Sequence, residues 1–105
     1  MQTIKVIKDR MTQSFGQRKT RDHILYLCKN WKGEVIRVGA TQNLNSRFNQ
    51  YKNAGPRYGE WANDRIWEEL DHVDYQLMNS RKELLREEDK MIKQYHPVYN
   101  TYQKV

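Results

Sequence analysis

The chain has 105 residues, 37% of them apolar, which is enough for one modest core and too little for two. Lys and Arg number 19 against 13 Asp and Glu, and the formal charge of +6 favours a polyanionic partner such as nucleic acid, although a basic solvated surface gives the same balance. A single cysteine, Cys28, excludes an internal disulfide framework and a cysteine-based zinc site and suits a reducing compartment such as the cytoplasm, while no run approaches the roughly 20 apolar residues of a membrane span.

Residues 1–22 read as a basic N-terminal extension. Ile4 and Val6 alternate with lysine in a marginal strand or short helix, and Gln17-Arg18-Lys19-Thr20-Arg21 follows as a connector. That basic run is either a phosphate-contacting arm or a solvated tail.

Regular structure is expected from His23, and residues 23–105 read as the folded domain. Ile24-Leu25-Tyr26-Leu27-Cys28 is apolar on both faces, as a strand covered on each side would be, and Cys28 reads as an inert core thiol. Glu34-Val35-Ile36-Arg37-Val38 is rich in β-branched residues, and the segment 29–33 joins the two as a hairpin loop. Trp31 at its tip either stacks on a base or folds back on the sheet. Gly39 is expected to close the second strand at a sharp turn, Asn43 to cap the first helix and Gly55-Pro56 to stop it. A second helix is predicted over 59–70, with Ala62, Ile66 and Leu70 on one side. Val73, Tyr75 and Leu77 alternate as a third strand. Ser80 and Glu83 form a capping box for a last helix that His96-Pro97 ends, and residues 97–100 form an extended tail returning to the domain. The order strand, strand, helix, helix, strand, helix gives an α+β class, with a small three-stranded, mainly antiparallel sheet flanked by helices.

Two charges interrupt the apolar faces of two helices. Arg47 lies among Leu44, Phe48 and Tyr51 at helical spacing, and Glu88 continues the stripe of Leu84, Leu85, Met91, Ile92 and Tyr95. A lone buried charge costs several kcal/mol unless it is paired, hydrogen-bonded or bound to a metal. Taken alone, the two charges are equally a salt bridge tying two helices. His23, His72 and His96 have no ligand spacing among themselves and read as surface or structural residues.

The tripeptide Ile24-Leu25-Tyr26, the short loop, the run from Arg37-Val38-Gly39 through Arg47 to Tyr51, and the stretch from Glu88 to Pro97-Val98-Tyr99-Asn100 together resemble the GIY-YIG nuclease family. The likeness is closest to the N-terminal nuclease domain of the bacterial excision-repair incision subunit, and the chain is also similar to phage homing endonucleases. The resemblance implies a metal-dependent DNA endonuclease. It places Tyr26 and Tyr51 in the catalytic centre as groups that position or activate water. It makes Arg47 the binder of the scissile phosphate, Glu88 the ligand of a single Mg²⁺ or Mn²⁺ ion, and Asn100 a buttress of the centre.

Phosphodiester hydrolysis suits this set independently: an arginine fork grips two phosphoryl oxygens, and Mg²⁺ needs only one or two carboxylates. Arg37, Lys52 and Arg57 are expected to contact nucleic acid. Arg37 stands where the family has its second tyrosine, and an arginine cannot serve as a general base, so proton transfer falls to Tyr26 or Tyr51. The alternative is an impaired relative that binds nucleic acid, or a protein partner as a phage-borne inhibitor would, through the same cleft; a homodimer is a further arrangement left open.

Overall fold

The computed structural model describes residues 1–5, 23–53 and 63–100. The basic run 17–21, Gly55-Pro56, Arg57 and the predicted helix start at 59–62, with Ala62, lie outside the described residues. The elements are β1 (Gln2–Lys5), β2 (His23–Lys29), β3 (Val35–Thr41), α1 (Leu44–Asn53), α2 (Asn63–Glu69), β4 (His72–Met78) and α3 (Arg81–Tyr95).

The sheet is antiparallel, in the order β1-β4-β2-β3. It therefore has four strands rather than the three predicted. The extra strand comes from the extension, where only Ile4 among residues 2–5 is partly buried and the alternation is too short to be decisive. Side-chain contacts hold it in place: Thr3 donates to Asp74 at 2.6 Å, and Lys5 pairs with Asp71 at 2.9 Å.

β2 lies between β3 and β4 and is covered on both faces, which is why every residue from Ile24 to Cys28 is buried. Tyr26 and Cys28 point into a layer shared with Leu44, Phe48 and Tyr51 of α1 and Ile66 of α2. Leu25 and Leu27 point the other way, into a layer with Val38 of β3 and Leu84, Met91 and Ile92 of α3. Among the described residues no helix is long and apolar enough to cross a membrane.

Local signals set the ends of the elements. Asn30 folds the β2–β3 loop on itself, its side-chain oxygen accepting from Lys32 N and Glu34 N at 3.0 Å each, while Gly33 supplies the positive φ of 83°. Asn43 caps α1, its side chain accepting from Ser46 N at 3.1 Å. Ser80 caps α3 by accepting from Glu83 N at 3.1 Å, and His96 ends that helix in the left-handed region.

Three sequence expectations change here. Gly39 does not end its strand, because β3 runs on to Thr41. It sits directly across from Tyr26, and a Cβ placed on it would lie 2.3 Å from the Tyr26 ring. The glycine is required by a close approach of an aromatic ring, not by a turn. Leu85 and Tyr95, predicted inward, are each 44% exposed. Leu85 lies about 100° around the helix from Leu84 and so turns off the sheet, while Tyr95 is the last residue of α3 and borders an open hollow with His96 and Val98. Leu77, predicted to alternate inward, is 43% exposed.

Gly39→Ala is expected to be destabilising, because the Tyr26 ring is fully buried and has no space to swing into. Overpacking of this kind costs about 1–3 kcal/mol, or roughly 5 to 20 °C in Tm for a domain of this size. Thermal melts check this by comparing the effect of Gly39→Ala in the wild type with its effect in a Tyr26→Ala background, where the added alanine is expected to cost less.

Candidate active site

α1 leaves the end of β3 after a two-residue link, Gln42-Asn43, so its first turns stand beside the N-terminal half of α3 at one end of the sheet. Between them opens a cleft of about 460 Å³, lined by β3 and its link together with His23, Arg47, Arg81, Leu84, Leu85 and Glu88. Arg47 reaches it from α1 and Glu88 from α3, both partly buried. Among the described residues neither makes an ion pair, with the other or with any third group. The salt bridge that the sequence left open is therefore not formed.

Half-burial pushes the Glu88 carboxyl above the ordinary carboxylate range, and the positive charges of Arg37 and Arg47 pull it part of the way back. The result is a hard oxygen ligand facing open space. Among the described residues no group of three or more His, Cys, Asp or Glu is gathered as a metal cage. A single carboxylate beside an open volume nevertheless fits a Mg²⁺ ion, which keeps most of its waters.

Tyr26 and Tyr51 lie behind the cleft rather than in it. Both are buried, and their hydroxyls share a hydrogen bond of 2.5 Å. Phe48 stands edge-on to each ring, with centroids 5.5 Å from Tyr26 and 5.4 Å from Tyr51. Burial pushes the Tyr26 phenol up to about 12 and raises Tyr51 well above its usual value, the nearby guanidinium charges acting in the opposite direction. Burial raises the Cys28 thiol as well, in keeping with an inert core residue.

Asn100 acts at the edge of β3. Its side chain accepts from Val38 N at 2.9 Å and donates to Val38 O at 3.0 Å, while Tyr99 N donates to Ile36 O at 3.1 Å. Residues 97–100 thus seal the outer edge of the strand. Arg37, opposite Cys28 and on the same face as Tyr26, donates from Nη1 to Tyr99 O at 2.9 Å. The Tyr99 hydroxyl in turn donates to Glu69 of α2. Arg37 is not part of the cleft lining, nor is Lys52, which is exposed in the last turn of α1. Trp31 is 77% exposed at the hairpin tip, with Lys32 over its ring.

His23 and Arg81 line the cleft and were not among the predicted site residues. The signal for Arg81 was its spacing of seven from Glu88, two helical turns on one face. For His23 there was none, because its place at the mouth depends on how β2 and α3 come together.

A hairpin whose second strand feeds an arginine helix, with a glutamate helix across the cleft, is the arrangement of GIY-YIG nuclease domains. Residues 23–101 match the family model described as the UvrC-like GIY-YIG domain, and the chain belongs to that family. It is 37% identical over 76 residues to UvrABC system protein C of Protochlamydia amoebophila, and 37% identical over the same length to that of Koribacter versatilis. Each match covers 72% of this chain and 12% of the relative, so the chain spans about an eighth of the length of these relatives. The N-terminal GIY-YIG endonuclease domain of UvrC from Thermotoga maritima, bound to magnesium as its catalytic divalent cation, superposes with a TM-score of 0.64 at 31% identity. That match covers 77% of this chain and 85% of the other. A point mutant of the same domain, also bound to its divalent cation, gives 0.62 at 30% identity, covering 75% and 82%.

Two outcomes follow from this geometry. Asn100→Ala leaves the Val38 N–H and C=O without partners in a buried place and is expected to cost about 2–4 kcal/mol, with Asn100→Asp intermediate, as read by denaturant unfolding. The raised Glu88 carboxyl means that the folded state holds this proton more tightly than the unfolded chain does. Its stabilising contribution is therefore present below the ordinary glutamate value of 4.5 and lost as pH rises through the higher folded value. In metal-free buffer Glu88→Gln is expected to melt above the wild type at pH 7, the gap closing on acidification.

Proposed function

We propose that the chain is a metal-dependent endonuclease that hydrolyses DNA phosphodiester bonds, with Arg47 as the clamp on the scissile phosphate and Glu88 as the ligand of one Mg²⁺ or Mn²⁺ ion. The observation that carries this reading is the opening of both side chains, without an ion pair among the described residues, into one cleft of a chain that belongs to this family. When bound, the cation supplies Lewis-acid polarisation of the phosphate and lowers the pKa of a coordinated water.

The remaining chemistry belongs to the protein. Arg47 meets the charge that builds on the phosphoryl oxygens with a planar fork held partly out of water, where each charge-assisted hydrogen bond counts for more. Arg47 rides on a helix that Phe48 and Tyr51 anchor in the core, so its position is fixed before substrate arrives. A Tyr26 phenol at about 12 makes an unfavourable phenolate at neutral pH. The Tyr26–Tyr51 pair therefore suits holding the arginine helix and orienting hydrogen bonds better than removing a proton. Arg37 joins this set through its charge on Glu88 and its hold on the tail. Lys52 and Arg57 are proposed to contact the strand away from the scissile bond, and the +6 charge favours approach to a polyanion. The solved relative described above is an endonuclease domain, and a binding-only role gains no support from it.

Nicking of supercoiled plasmid in Mg²⁺ or Mn²⁺ tests this reading. Cleavage by the wild type is expected to stop with a chelator and with Glu88→Ala, and to fall about 10²-fold or more with Arg47→Ala. A wild-type protein that leaves single-stranded, double-stranded and branched DNA intact with either ion would refute it.

A further inference from the structure

Arg81 is the first residue of α3, exposed, and shares the cleft with Arg47 and Glu88. Like Arg47, it makes no ion pair among the described residues. It lies seven residues before Glu88 on the same wall, about 10 Å along the helix axis. Leu84 and Leu85 line the wall between them, and Leu85 is 44% exposed, an apolar surface between the two charges. His23 also lines the cleft. A guanidinium offset in this way is remote from the atom that Glu88 serves. The offset equals the rise of about three nucleotides along one strand of B-form DNA.

We infer that Arg81 is a second phosphate-binding residue of this cleft, seating a backbone phosphate one to three nucleotides from the scissile one, with the exposed Leu85 surface against the sugar between them. The inference rests on the nuclease reading and adds the direction in which the substrate strand runs: from Arg47 and Glu88 along the wall of α3 towards its N-terminus. Arg81 acts on substrate position and not on the charge that develops at the reacting phosphorus. Its loss is therefore a loss of uniform binding, seen in KM rather than kcat.

The test uses the full chain and a DNA oligonucleotide duplex. Binding is measured across 50 to 200 mM salt in chelator, so that no cleavage intervenes, and steady-state cleavage is measured with Mg²⁺. Arg81→Ala is expected to lower the salt slope by about 0.7–0.9, so that the wild-type advantage shrinks about threefold over that range. Its cleavage defect is expected in KM, and Arg81→Lys is expected to restore the slope. In the wild type, replacing one phosphate at this distance by a neutral methylphosphonate reproduces the defect, and the same replacement adds nothing to Arg81→Ala.

An unchanged slope and KM in Arg81→Ala, while Arg47→Ala impairs cleavage, would overturn the inference and leave the nuclease reading standing. A fall in kcat with an unchanged slope would also overturn it, since Arg81 would then be shaping the cleft rather than gripping the strand. Wild-type protein that neither binds nor cleaves DNA would remove both.

Discussion

The phenol ring of Tyr26 occupies the space that a side chain at position 39 would fill, and this contact fixes three elements at once. It brings β2 and β3 into register at the Tyr26–Gly39 pair, and it carries the Tyr26 hydroxyl through to Tyr51, one turn beyond Arg47 on α1. Phe48 fills the angle between the two phenols. The direction in which α1 leaves the sheet therefore follows from ring packing in the core. Arg47 inherits that direction.

The cleft itself is a balance of opposed costs. Partial burial makes an ionised Glu88 expensive, and two guanidinium charges offset part of that expense from a distance without neutralising the carboxylate. Direct contact with either arginine would offset its charge and occupy lone pairs otherwise open to a cation. Separation keeps Arg47 and Glu88 open to the cleft, and the arrangement holds because the helices that carry them are anchored by Phe48 and Tyr51 on one side and Leu84 on the other.

Much of this was legible in the sequence, for identifiable reasons. The five-residue apolar run of β2 could only be a strand covered on both faces, and Asn43 and Ser80 announced helix starts because their side chains replace missing backbone partners. Arg47 and Glu88 stood out because charge at a core-facing spacing needs a reason. What stayed hidden depended on tertiary proximity. Gly39 read as a turn residue because its real constraint, a ring from the neighbouring strand, cannot be seen along the chain. β1 offered too few alternating residues to count as a strand. Leu85 and Tyr95 matched the apolar pattern of α3, but the sheet covers only part of that face, and His23 acquired its place only when β2 and α3 were brought together.

The tail of residues 97–100 has a consequence for how the molecule comes into being. Val38 and Asn100 are 62 positions apart, yet among the described residues it is Asn100 and its neighbours that close the outer edge of β3. During synthesis the hairpin therefore leaves the ribosome with both flanks of its backbone bare, and the β3 flank stays so after β4 has covered β2, a template for mispairing with another nascent chain. Arg37 and its hold on Tyr99 cannot form until the glutamate helix has already been made. The edge of the sheet that anchors Arg37 is thus completed as one of the final acts of folding.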